Sequence, residues 1–299
     1  MRPLVQRLGY VALETANPAG VAEDAIAIAG ARIVEQSDDR IILTSNTRNA
    51  ELIVYKAESS ALRRVGLEAV NEDAVDEIER RAREAGLQVL STTPSLPSIK
   101  KSVTLATSEG IIFEAHTPVA AEQPLRYHGP GVHPKCLDHV NLSAADPKKW
   151  AEEMSAVFGL LLSERTTGYE ISWMRAADGR HHTVAAVKSP GAGVHHISWE
   201  FNSFEDFKKL GDNLIPEGRR LVWGPGRHGA GDNLFLYFWD KGGFLIECIA
   251  EMEIIHDVNE PPRVVEPGEG LSNWKVVNQW GATPPIEWVE AFVPQSENR

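Results

Sequence analysis

Two imidazoles and a carboxylate, on three separate alternating stretches, are the residues of this chain best placed to do chemistry. His139 lies in LDHVNL, a second histidine (His195 or His196) in VHHISWE, and Glu247 in GFLIECIAEM. Two neutral imidazoles and one carboxylate can occupy one face of a divalent iron and leave the opposite positions open. Open positions are what a metal needs to hold a substrate and dioxygen together. Alone, each of these residues is ordinarily structural: a histidine at a strand end, a glutamate on an exposed face. Placed together at equivalent points of a repeated pattern, they read as a ligand set. Further polar stretches accompany them: HHTVAAV at 181–187, GRHG at 226–229 and LYFWDKGG at 236–243.

Ligands need fixed directions, and strands supply them. The chain carries a repeat that accounts for the strands. LGYVALETANPAG at 8–20 resembles LDHVNLSAADPKK at 137–149. RRVGLEAVN at 63–71 resembles HHISWEFNS at 195–203, and EGIIFEAHTPV at 109–119 resembles GGFLIECIAEM at 242–252. The matches are separated by about 130 residues, a plausible domain length. Within each half the order reads β-α-β-β-β, then β-α-β-β-β. YVALET alternates and leads into an Asn-Pro helix start, and NPAGVAEDAIAIAGA has helical spacing. DAVDEIERRAREAG is an amphipathic helix ending at Gly86, with Glu77 set against Arg81 and Glu79 against Arg83. The Pro/Gly-rich stretch 121–135 marks the boundary. The expected divisions are 1–125, a structural domain without metal; 134–256, a catalytic metal-binding domain; and 257–299, a Pro-rich, aromatic tail packed on the domains. The fold class is α+β.

The C-terminal half resembles the type I extradiol dioxygenases of the vicinal oxygen chelate (glyoxalase/bleomycin resistance) superfamily. The matching motif is Gly226-Arg227-His228, then GAGDNLF, Leu236-Tyr237, Asp240, Lys241, Gly243 and Glu247. Lys241 stands where that family usually has proline. The resemblance covers residues 137–252 strongly and 1–120 weakly, through the repeat. It implies two tandem domains, each of two βαβββ modules forming a half-open sheet around a cavity. It makes His139, His196 and Glu247 the metal ligands, with His195 the competitor for the second place. His182, with His181 competing, becomes the candidate base. His228 and Tyr237 become partners of the substrate oxygens. The implied metal is Fe(II), with Mn(II) possible. The implied reaction is cleavage of a catechol-type ring beside its vicinal hydroxyls by O2, as in the breakdown of aromatic compounds, in a homo-oligomer. At the equivalent positions the first half has Tyr10, Arg64 and Glu114, with Ala50 opposite His182. A guanidinium repels a cation, so that half should carry no metal. A glyoxalase-type isomerase or lyase would share the fold and metal without needing His182, His228 and Tyr237. A non-enzymatic small-molecule-binding member would lack the triad.

The remaining signals narrow the class. The 299 residues carry a net charge of -12, which argues against a nucleic-acid partner. The two cysteines, Cys136 and Cys248, make no disulfide framework. No apolar run approaches ~18 residues, so no membrane span is expected, nor a signal peptide. A cytoplasmic protein is the expectation. Gly224-Pro-Gly226-Arg-His-Gly229 matches a dinucleotide fingerprint in letters only, because NLFLYFW follows as a strand where that motif opens a helix. Its glycines suit a loop that carries His228. Cys248 should face away from Glu247. Trp173, Trp199, Phe201 and Trp239 are first of all core residues, some able to line a cavity.

Overall fold

The computed structural model describes residues 3–125 and 127–297. Four βαβββ modules follow one another. The first is β1 (Val5–Thr15), α1 (Pro18–Asp24), β2 (Arg32–Gln36), β3 (Arg40–Thr44) and β4 (Leu52–Lys56). The second is β5 (Ala61–Ala69), α2 (Glu72–Glu84), β6 (Gln88–Ser91), β7 (Ser102–Ala106) and β8 (Ile112–His116). The third is β9 (Cys136–Ala144), α3 (Pro147–Phe158), β10 (Leu161–Thr166), β11 (Ile171–Arg175) and β12 (Val184–Lys188). The fourth is β13 (Gly193–Glu200), α4 (Phe204–Leu214), β14 (Trp223–Arg227), β15 (Leu234–Trp239) and β16 (Leu245–Ala250). The tail adds β17 (Arg263–Val265), α5 (Trp274–Val277), α6 (Ile286–Val289) and β18 (Val293–Pro294).

The helix starts follow from local chemistry. In both first-of-pair modules an Asx-Pro dipeptide opens the helix: Asn17 accepts from Gly20 N, and Asp146 from Lys148 N and Lys149 N. Helix α1 runs into a π-helical turn at Ala25–Ala29 and stops at Gly30, whose φ is 98°. Helix α2 is capped by Asn71 and buries Ala74, Val75, Ile78 and Ala82 on one face. Its outer face carries the Glu77–Arg81 and Glu79–Arg83 pairs, with Arg80 joining Glu77.

Among the described residues each half forms one sheet. The first runs β2-β3-β4-β1-β5-β8-β7-β6, the second β14-β15-β16-β13-β9-β12-β11-β10-β17, with β18 paired to β13. The duplication is visible in register. Tyr10 pairs with Gly66, which pairs with Glu114; His139 pairs with Ser198, which pairs with Glu247. Helix-facing residues of both sheets merge in one apolar core, from Val5 and Leu13 to Leu142, Trp199 and Cys248. Strand alternation points the other face of the second sheet into a cavity.

The halves are joined by polar contacts as well. Buried Asp24 of α1 accepts both Arg219 guanidinium nitrogens at 2.7 Å and the Lys241 backbone N–H at 2.7 Å. A proline at 241 has no N–H to give, so the departure from the family motif matches a contact across the halves. Buried Glu51 of the first half accepts from Leu137 N at 3.0 Å, two residues before His139.

Two local expectations differ. His181 and His182 precede β12 in an irregular segment and are not strand neighbours. WGPGR at 223–227 forms β14, a strand with a register shift between Trp223 and Gly226, where a loop was expected. No dinucleotide-type helix follows it, only a 3-10 turn at Ala230–Asp232 and then β15. No helix among the described residues is long and apolar enough to cross a membrane.

Candidate metal centre

One row across four adjacent strands builds the centre. Tyr237 on β15 pairs with Glu247 on β16, Glu247 with Ser198 on β13, and Ser198 with His139 on β9. His196 lies two residues before Ser198 and so shares its face. The ligand atoms of His139, His196 and Glu247 all lie within 4.8 Å of one another, and all three residues are buried. His139 Nε2 is 2.8 Å and His196 Nε2 3.4 Å from the same oxygen, Glu247 Oε2. Two bonds of about 2.1 Å at right angles separate ligand atoms by about 3 Å, so the spacing suits one face of an octahedral metal.

The donor set also fits by what it leaves open. Glu247 Oε2 is buried and has no partner by hydrogen-bond geometry, although two imidazole nitrogens face it. Its other oxygen is occupied: the Tyr237 hydroxyl donates to Oε1 at 2.6 Å, and His228 Nε2 stands 3.3 Å away. A buried carboxylate oxygen facing two imidazole nitrogens calls for a cation. Electrostatics agree. Burial alone would lower the His139 imidazole, but Glu247 and Asp138 outweigh it and hold it at about 9. Burial alone would raise the Glu247 carboxyl, but the facing imidazoles hold it well below the usual carboxylate range.

Other histidines surround this triad. His182 lines the same cavity, its ring 4.2 Å from that of His139. Burial and the neighbouring imidazoles, His139 first, push it well below its ordinary value, so it is neutral. His181 turns away to Glu164, 3.3 Å distant, and its Nδ1 meets His182 Nδ1 at 3.0 Å. His195 falls at a β-bulge between Val194 and His196. It lies against Trp288 of the tail, with Nε2 2.8 Å from that residue's carbonyl and Nδ1 2.7 Å from His196 Nδ1. Burial pushes it down to about 3. His228 Nδ1 donates to the Val277 carbonyl at 2.6 Å, which leaves Nε2 for proton exchange, 3.1 Å from the Tyr237 hydroxyl. Asp138 accepts from His139 Nδ1 at 2.8 Å and is gripped by Arg180, which also binds Glu200.

The cavity has apolar walls, Ile171, Trp173 and Ala230 on one side and Leu271, Val276 and Trp288 on another, with Asn141, Thr166 and Asn233 also in its lining. The tail supplies a wall of the site through Leu271, Val276 and Trp288, a role for which the sequence carries no signal. Asp138 and Arg180 carry no motif signal beyond the Asp-His dipeptide, yet they hold His139 Nδ1. Trp173 lines the cavity, while Trp199, Phe201 and Cys248 are core. In the first half the equivalent place is filled: the Tyr10 hydroxyl donates to Glu114, and Ser95 donates to the same carboxylate.

A two-His, one-Glu centre on the inner face of paired βαβββ modules defines a class. Residues 136–248 match the profile of the glyoxalase/bleomycin resistance protein/dioxygenase superfamily. The chain's relatives include metapyrocatechase 2 of Cupriavidus necator, 29% identical over 167 residues, 56% of this chain and 49% of that one. The manganese-dependent 2,3-dihydroxybiphenyl 1,2-dioxygenase of Geobacillus genomosp. 3 is 26% identical over 44% of each chain. The chain thus spans about half the length of these relatives in its matches. Homoprotocatechuate 2,3-dioxygenase from Brevibacterium fuscum, solved with 3,4-dihydroxyphenylacetate, superposes with a TM-score of 0.87 at 18% identity. That match covers 98% of this chain and 94% of the other, and shows the fold.

Proposed function

We propose that the chain is an extradiol dioxygenase that cleaves a catechol-type ring beside its vicinal hydroxyls with O2. The carrying observation is Glu247 Oε2, buried and faced by two imidazole nitrogens in a cavity with apolar walls. His139, His196 and Glu247 would hold the metal, Fe(II) with Mn(II) as the alternative. The bound ion would supply the acidity that makes a diol anionic and the redox chemistry that activates dioxygen. The protein's own groups do the rest. Neutral His182 accepts a proton from the diol as it binds. Tyr237 keeps its proton, because burial and the Glu247 charge raise it well above its ordinary value, and orients that carboxylate. His228 exchanges a proton at Nε2 with an oxygen of the opening ring. Trp173, Leu271, Val276 and Trp288 pack the ring and exclude water. On this reading residues 134–256 are the catalytic domain, 1–125 a structural copy without metal, and 257–299 a covering tail, in a homo-oligomer.

The test is anaerobic reconstitution with Fe(II) or Mn(II), then addition of catechols and air. A yellow ring-opened product and one metal per chain are expected, with Glu247→Ala losing both. A metal site that turns over 2-oxoaldehyde thiol adducts but no diol would favour a glyoxalase-type isomerase or lyase. Tight binding of aromatic ligands without metal or turnover would favour a non-enzymatic binding member.

A further inference from the structure

Both tandem histidine pairs share one arrangement. In each, the first imidazole is anchored from behind at Nε2 and meets the second Nδ1 to Nδ1. For His195 and His196 the anchor is the Trp288 carbonyl at 2.8 Å, and the nitrogens meet at 2.7 Å. For His181 and His182 the anchor is the Glu164 carboxylate at 3.3 Å, and the nitrogens meet at 3.0 Å. The backbones beneath them differ, a β-bulge in one case and an irregular segment in the other.

Hydrogen counting fixes direction. A carbonyl or carboxylate oxygen only accepts, so Nε2 of the first imidazole carries the hydrogen. A neutral imidazole has one donor and one acceptor nitrogen, so its Nδ1 is the acceptor. Nδ1 of the second imidazole must then donate, and its Nε2 lone pair is turned inward. For His196 that nitrogen faces Glu247 Oε2 at 3.4 Å.

We infer that His195 and His181 are positioning residues, each locking the tautomer of the histidine that follows it, so that His196 presents Nε2 to a divalent cation and His182 presents Nε2 to the bound ring. Both locks are held by the tail. Trp288 supplies one carbonyl, and Arg263 grips Glu164 at 2.9 Å while also binding Glu253. His139 receives the same service from a carboxylate, Asp138, held by Arg180. The inference rests on the proposed centre for its purpose. Its first test, metal affinity, does not depend on which reaction follows.

The experiment compares His195→Phe with His195→Asn in the full chain. Phenylalanine fills the ring's space but leaves the His196 Nδ1–H buried without an acceptor. Asparagine carries a carbonyl oxygen close to where histidine carries Nδ1. Mn(II) and Co(II) affinities are measured by titration, with the visible spectrum of the cobalt form and the unfolding midpoint of the metal-free protein. The expected result is a 10- to 100-fold weaker metal affinity for phenylalanine, the usual range for a group behind a ligand. Asparagine should recover it to within about threefold, and the metal-free midpoints should stay close. Should the phenylalanine variant fail to fold, His195→Leu against His195→Gln makes the same comparison. Wild-type affinity in the phenylalanine variant, or asparagine as weak as phenylalanine, overturns the lock at His196. The second arm is His181→Phe against His181→Asn. Metal affinity should be unchanged in both, with kcat lowered in the first at constant KM and recovered in the second. Weakened metal binding there, or unchanged kcat in the phenylalanine variant of an enzyme that does cleave catechol, overturns the lock at His182. If no variant and no wild-type protein cleaves a diol, the proposed function fails while the metal-affinity arm still decides the first lock.

Discussion

At the scale of the residue, the proposed function separates groups that would hold a cation from groups that would move protons. His139, His196 and Glu247 converge on one oxygen, whereas His182 is buried in the same cavity without facing that oxygen at ligand distance. His182→Phe should therefore keep the metal and slow ring cleavage by about 10²–10⁴-fold, the usual worth of a placed proton-transfer group. Metal per chain and the single-turnover rate with oxygen check this. Unchanged turnover would remove His182 from the chemistry, and lost metal would make it a ligand. The triad was legible in the sequence because each member sits on a strand at a repeated position. The choice between neighbours was less so. Alternation on a strand would send His195 away from the site, but a bulge keeps its ring beside His196. Bulges leave little trace in a single sequence, since one extra residue in one strand changes pairing and not composition.

At the scale of the element, the turn before β16 shows how a local departure is compensated at a distance. Asp240 accepts from Gly242 N and Phe244 N at 2.8 Å, and the turn hands the Lys241 N–H to Asp24. Lys241→Pro should destabilise the protein by roughly 1–3 kcal/mol, the cost of losing a hydrogen bond to a buried carboxylate. Lys241→Ala keeps the N–H and gives up ion pairs with exposed Glu23 and Glu217 and a longer one, 3.7 Å, with Asp24, so it should cost about 1 kcal/mol, less than Lys241→Pro. Urea unfolding of the two variants decides; equal losses would place the effect in the side chain. The module order was readable from the spacing of apolar residues and the two Asx-Pro starts. WGPGR was not, because its two glycines and proline read as a loop, and only pairing with β15 makes it a strand.

At the scale of the whole molecule, the first half contacts the strand that carries His139, through Glu51 and the Leu137 N–H. Burial alone would raise the Glu51 carboxyl, but Arg48, Ser45 and Leu137 N hold it below its ordinary 4.5. A carboxyl lowered by folding contributes stability that is present above its unfolded value and is lost as pH falls through the folded one. Glu51→Gln should thus flatten the acid limb of the stability curve below about pH 5, read by urea midpoints across pH. A limb as steep as in the wild type would assign acid sensitivity elsewhere. The cavity walls lead to a second expectation. Catechols with uncharged alkyl or aryl substituents should exceed 3,4-dihydroxyphenylacetate in kcat/KM by about 100-fold, since no Lys or Arg among the described lining residues can pair a buried carboxylate. Equal values would mean the substituent reaches solvent. None of these wall residues in the tail could be placed from sequence, because the segment has no periodicity and its position depends on contacts across the fold.

The anchoring of His195 by the Trp288 carbonyl also has a consequence in time. Residue 288 is translated after His139, His196 and Glu247, so on the inferred lock a growing chain owns its three candidate ligands before it owns the oxygen that would set one of them. An ion captured from the cell during synthesis would meet a centre whose His196 still samples both tautomers. Selection among available cations would sharpen only once the tail has docked, and the order of synthesis would then be part of how such a centre acquires its ion.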